Sequence, residues 1–295
     1  MAADPLPPEL LAAWLEAPDE DARQAVMARY APELGPDGAE LLLALATAGP
    51  AYGGDREREL ALQRELLELA RGVAEHQQAW LVAAHACRHL AHVDVGARRS
   101  WLERAARHAI TGAGWEVLSR TESDLAALAL VSRQPREALA AASRSLAACR
   151  HEPASRALGE LGDEAAQALV EMATRLGDPQ VAFGPLKDWL AHTRQGGELE
   201  LIARACERLG GVAAMLDRAG DAERWLGEAA ALYAELMEGP PLARVLLRRL
   251  AVAAGTGDPD AVAGRVADLV SLRERTTDPE VRALIDDADF RDLEP

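Results

Sequence analysis

Lysine and asparagine are all but missing from this 295-residue chain. Lys187 is the single lysine against 31 arginines, and there is no asparagine at all. The first imbalance points to a GC-rich bacterial genome and leaves no lysine in a Gly-rich loop to cradle a phosphate. The second excludes N-glycosylation sequons, and with them the asparagines that many peptide-binding repeats use to hold a ligand backbone. Aromatic residues make up only 4%. Ala and Leu dominate the apolar half of the chain instead, a composition suited to closely packed helices and poor for sheets. No basic run relieves a formal charge of -16, which repels a phosphate backbone and sets nucleic acid aside as a partner. The opening segment lacks a basic stretch followed by an apolar core, and no uninterrupted apolar run reaches membrane-spanning length. A soluble cytoplasmic protein is the expectation, with no membrane partner. The three cysteines, Cys87, Cys149 and Cys206, are odd in number and far apart; they form neither a disulfide framework nor a CxxC motif, and read as buried thiols.

What is present is a recurring punctuation. Gly177-Asp178-Pro179, Gly220-Asp221-Ala222 and Gly257-Asp258-Pro259 each separate two helical stretches. Glycine ends the first helix in a left-handed conformation, aspartate caps the free N–H groups of the next, and proline suits its first position. Related breaks fall at Gly54-Asp55, from His92 to Gly96, and at Gln134-Pro135. With Gly54, Val93, Gln134, Gly177, Gly220 and Gly257 as anchors the spacings are 39, 41, 43, 43 and 37. A period near 40 indicates an array in which each helix pair buries its apolar face against its neighbours. The second helices carry the matching stripes: Ala222, Leu226, Ala229, Tyr233 and Leu236; Ala182, Leu186 and Trp189; Leu139, Ala142, Leu146 and Cys149. Longer connections are expected around Gly49 to Gly54, Thr111 to Gly114, Gln195 to Gly197 and Glu238 to Pro241. The expected organisation is an N-terminal helical cap over 1–34, about six helix pairs over 35–275, and a capping helix with an acidic tail over 276–295.

The segments LGDPQVAFGPLKDWL, AGDAERWLGEAAALY and TGDPDAVAGRVADLV resemble the turn and second helix of bacterial tetratricopeptide repeats. The resemblance covers roughly residues 35 to 275. It implies an all-α, right-handed superhelical solenoid of antiparallel helix pairs whose first helices line a concave groove. The period departs from the usual 34, and the first helices lack a regular Trp/Leu-Gly/Tyr pattern. The longer period is similar to that of the variant repeats of kinesin light chains and of bacterial signalling ATPases and regulators. The N-terminal LLAAWLEAPDEDARQAVMARYAPELG resembles helical segments that precede caspase-like CHAT domains, but no caspase-like His and Cys pair follows.

Candidate chemistry is sparse. His85, His89 and His92 fall on one helical face, with Arg88 beside them, opposite a core stripe of Trp80, Ala84, Cys87 and Ala91. Two histidines at i and i+4 suit a metal ion, but no HExxH, second pair or Cys cluster supplies the remaining ligands. The face is expected as a polar lining or a solvated surface. Glu200, Arg204 and Arg208 run at i, i+4 and i+8 opposite the stripe Ile202, Ala205, Leu209, Val212 and Leu216. They suit either intrahelical pairing or a grip on a partner's carboxylate. Asp286-Asp287-Ala288-Asp289 lacks the Gly and closing Glu of a calcium loop and reads as a solvated terminus. Gly210-Gly211, inside a helix, reads as close packing. No nucleophile elbow, dinucleotide fingerprint or phosphate loop occurs. The function expected is therefore a non-enzymatic scaffold without cofactor, binding a protein or peptide of basic or mixed charge through His85, Arg88, His89, His92, Glu200, Arg204 and Arg208. The alternatives are a ligand- or peptide-responsive regulatory subunit, or a helical enzyme or metal-binding protein using the histidine face.

Overall fold

In a computed structural model, residues 8–30, 34, 37–48, 56–151 and 156–288 are described. Among them every regular element is helical, and the chain is an all-α, tetratricopeptide-like array of helix pairs. None of these helices is long and apolar enough to cross a membrane. The chain divides into two compact units, Met1–Gln134 and Pro135–Pro295.

The first unit contains α1 (Pro8–Glu16), α2 (Glu20–Tyr30), α3 (Gly38–Ala48), α4 (Arg56–His76), α5 (Trp80–Val93), α6 (Arg98–Thr111) and α7 (Trp115–Val131). From α3 onward each helix packs against the next, and α5 also touches α3 and α7, so these three form one layer. The opening helices are tied to α4 by a polar clamp. Trp14 Nε1 donates to Glu65 at 3.2 Å, while Arg23 pairs with Glu65 and Glu68 at 2.9 and 2.7 Å and lies over the Trp14 ring. Beneath the clamp Leu10, Trp14, Tyr30, Leu42, Leu69 and Val73 share a core.

The second unit contains α8 (Pro135–Ala148), α9 (Arg156–Arg175), α10 (Gln180–Gly196), α11 (Leu199–Met215), α12 (Ala219–Glu235), α13 (Gly239–Thr256), α14 (Pro259–Arg275) and α15 (Pro279–Asp286). Its layers alternate in the same way: α11 touches α9 and α13, α13 touches α15, and α8 touches α10. The expected stripes are buried except at Leu236, which is half-buried: Ala182, Leu186 and Trp189, then Ala222, Leu226, Ala229 and Tyr233, then Leu139, Ala142, Leu146 and Cys149. Cys87, Cys149 and Cys206 are buried and not disulfide-bonded, and burial pushes the Cys87 and Cys206 thiols up to about 12.

One turn recurs through the molecule. At Gln78, Ala113, Arg133, Gly177, Asp217 and Met237 the backbone is left-handed, with φ between 51° and 70°. Each of these N–H groups reaches back three residues, and the following N–H reaches back five. Gly114 N to Ala109 O, Gln134 N to Ala129 O and Arg218 N to Ala213 O measure 2.8, 2.8 and 2.9 Å. The last carbonyls of each helix are thereby satisfied and the chain reverses within three residues. Sequence pattern places this conformation correctly at Gly177 and Gly257, and the Asp258 carboxylate caps Asp260 and Ala261 as expected. It misplaces the conformation at Gly220. That glycine lies inside the first turn of α12, and Asp217 takes the positive φ. The connections expected to be long at Thr111 to Gly114 and Glu238 to Pro241 also prove to be this short turn. Gly54-Asp55 and the connection from Gly49 lie outside the described residues.

Candidate partner-binding groove

Within the second unit, α9, α11 and α13 enclose a groove of about 1140 Å³. Each helix presents one stripe at helical spacing: Asp163, Gln167, Val170 and Glu171 from α9; Arg204, Glu207, Arg208, Gly211 and Met215 from α11; Arg244, Arg248, Val252 and Gly255 from α13. The opposite stripes of these helices, including Leu169, Leu209 and Leu250, are buried in the unit's core. The polar faces are therefore held outward by packing on their far side.

The groove floor is an ion-pair network. Asp163, only 6% exposed, is held by both guanidinium nitrogens of Arg208, one at 2.9 Å, and by Arg204 at 3.4 Å. Arg204 also pairs with Glu200 on its own helix. Glu207 accepts from Tyr233 Oη at 2.9 Å and pairs with Arg248 at 2.9 Å, linking α11 to α12 and α13. Burial, together with the Glu207 carboxylate, pushes the Tyr233 phenol well above its ordinary range and keeps it a donor. Such pairs cross from helix to helix and set the spacing of the layer.

Of the residues singled out by sequence, Arg204 and Arg208 line this groove. Glu200 adjoins it through its i,i+4 pair with Arg204. Gly210 and Gly211 divide in role. A Cβ at Gly210 would stand 2.7 Å from Leu226, whereas one at Gly211 would meet only Arg248 at 3.8 Å, so Gly211 opens onto the groove. His85, Arg88, His89 and His92 lie on α5 in the other unit. Arg88 pairs with Asp124 of α7 at 2.9 Å. His85 is half-buried, and burial followed by the nearby Arg88 guanidinium holds its ring below the ordinary histidine range. His89 is lowered too, first by partial desolvation and then by His85, Arg88 and His92. At His85 and His89 the fold therefore favours the neutral imidazole. Among the described residues no three His, Cys, Asp or Glu side chains converge in a geometry that would hold a metal ion.

The sequence reading missed Asp163, Glu207, Arg248 and Met215. Asp163 carried no signal, being one of several carboxylates on α9 with Glu160, Glu164 and Glu171. Arg244 and Arg248, four residues apart on α13, did carry one.

No family model matches the chain, and no curated protein matches it either. Solved structures do resemble it. The apo form of RapI shares 13% identity over 90% of this chain and 69% of its own, with a TM-score of 0.49. BtubC (BKLC) from P. vanneervenii shares 18% over 80% and 91%, with a TM-score of 0.47. A signal transduction ATPase with a tetratricopeptide repeat sensor from Pyrococcus horikoshii shares 13% over 97% of this chain and 48% of its own, with a TM-score of 0.44.

Proposed function

We propose that the chain is a non-enzymatic interaction module, a long-period bacterial member of the tetratricopeptide-like class, whose α9–α11–α13 groove binds a peptide or protein segment of basic or mixed charge. The observation that carries this reading is the groove. It exceeds the size of a pocket for one small ligand, which is about 300–1,000 Å³, and runs along three helices as an open strip. Its ionisable groups support the non-enzymatic part of the proposal. Asp163 is engaged by Arg204 and Arg208, and Glu207 by Arg248 and Tyr233, and no serine, cysteine or lysine is among the groove's described lining residues to act as a nucleophile.

A photo-crosslinking residue in place of Met215, inside the groove and 43% exposed, tests this. It is expected to capture one stoichiometric partner from the source cell, while the same residue in place of Val270, 45% exposed on α14, captures none. Equal capture at both positions would sink the reading.

A further inference from the structure

We infer that the groove's occupant is a basic segment, and that one of its lysine or arginine side chains sits where α9 and α11 terminate. This rests on the reading of the groove as a peptide site and names the chemistry it selects.

Charge accounting within the groove carries the inference. Asp163 is matched by Arg204 and Arg208, Glu200 by Arg204, and Glu207 by Arg248. Three lining carboxylates stand outside that network: Glu171, Asp217 and Glu238. The one further lining cation, Arg244, lies 4.0 Å from Glu280. Glu171 accepts from Gln167 at 3.0 Å and has Arg175 at 3.9 Å, but both members of that ion pair are more than half exposed, so water screens it heavily. The free charge of the groove is therefore negative. An acidic or phosphorylated segment would find only Arg244 loosely held, in an exposed pair with Glu280 that water also screens, and would otherwise have to displace Asp163 or Glu207 from the arginines that hold them.

The location follows from the apolar neighbours. Glu171 lies near the C-terminal end of α9, and Asp217 follows the last turn of α11. Thr174 Oγ1 approaches Met215 Sδ at 3.4 Å, so these two helix ends meet. Val170, Met215 and Val252 give that end an apolar wall. Helix C-termini carry partial negative charge that adds to the carboxylates. An aliphatic stem on the wall with a cationic head beside Glu171 and Asp217 is the arrangement lysine and arginine adopt at such boundaries.

The test titrates the full chain with two fluorescent pools of random peptides of about ten residues, roughly 33 Å when extended. Lysine is fixed at three positions in one pool and glutamate at the same positions in the other. The lysine pool should bind more tightly, and its binding should weaken as salt rises. General attraction to an acidic protein also favours lysine, so the deciding comparison is with Glu171→Gln/Asp217→Asn. Asparagine tolerates the left-handed backbone at 217, and this variant should melt like the parent yet bind the lysine pool about tenfold more weakly. Unchanged binding by the double variant, or preference for glutamate, overturns the inference while leaving the groove reading intact. Gly211→Leu, which fills open groove, should abolish binding of either pool. If it does not, or if neither pool binds, the groove reading itself falls and the inference with it.

Discussion

Replacing Met237 with glycine should make the second unit more stable, although it removes a side chain and adds a flexible residue. Met237 has φ of 59° and is 83% exposed, so truncation forfeits little packing. A left-handed backbone costs an L-residue about 1–2 kcal/mol, and glycine loses about 0.5–1 kcal/mol more chain freedom on folding. The net gain is about 0.5–1 kcal/mol for Met237→Gly, and similar for Ala113→Gly, where φ is 51°. The turn's hydrogen bonds, such as Glu238 N to Tyr233 O at 3.0 Å, are unaffected because they belong to the backbone. Gly177→Ala is the mirror experiment. A Cβ there meets nothing within 4 Å, so its cost of about 1 kcal/mol is purely conformational. Urea denaturation followed by helical circular dichroism gives the answer: Met237→Gly should raise the midpoint of the transition that reports α12 and α13 without changing its slope, and Gly177→Ala should lower it. A lowered midpoint for Met237→Gly would show that the left-handed residues are not a strained feature of these turns.

Three further outcomes follow from other sites. Asp163→Ala leaves Arg208, 16% exposed, without its main partner and should destabilise the second unit by about 2–3 kcal/mol; Arg208→Ala added to it should cost much less than the two single effects summed, as read by a double-mutant cycle. His85 and His89 are held below the ordinary histidine value of about 6.5, so the fold favours their neutral forms. The first unit should keep its full stability above about pH 6.5 and lose it as the pH falls through the lowered values, a loss that His85→Gln/His89→Gln diminishes in melts across that range. For His85 the charged neighbours are Arg88 on its own helix and Glu116 and Arg120 on α7. Gly162→Ala drives a methyl into the Trp189 ring and should cost about 1–3 kcal/mol, while Gly255→Ala, facing open groove, should stabilise α13 by up to about 1 kcal/mol; thermal melts that ranked the two the other way would contradict the packing.

Helix existence and burial were legible because each stripe repeats a simple local rule. Leu139, Ala142 and Leu146, or Ala222, Leu226 and Ala229, are buried as their spacing requires. Turns were legible only where glycine stood in the left-handed position, as at Gly177 and Gly257. At Gln78, Ala113, Arg133, Asp217 and Met237 the same backbone is imposed by packing of the flanking helices, and residue identity gives no notice of it. Gly220 misled because a glycine in the first turn of a helix looks, in one dimension, like the end of the helix before it. The groove was half legible. Arg204 and Arg208 were visible as a charged stripe on one helix, but their partner Asp163 is more than forty residues away. Pairings of that range depend on how helices stack, which periodicity within one helix does not encode.

The repeated three-residue turn has a consequence for how such a chain changes length. Gly177 and Asp217 occupy the same position in the same backbone reversal, each between a groove-lining helix and its outer partner. Splicing the chain between two such points removes or adds one whole helix pair and leaves the junction's geometry as it was. The array is thus cut into interchangeable segments, and the number of groove-lining helices, with it the length of partner the groove can grip, is open to change by duplication or deletion without invention of a new loop.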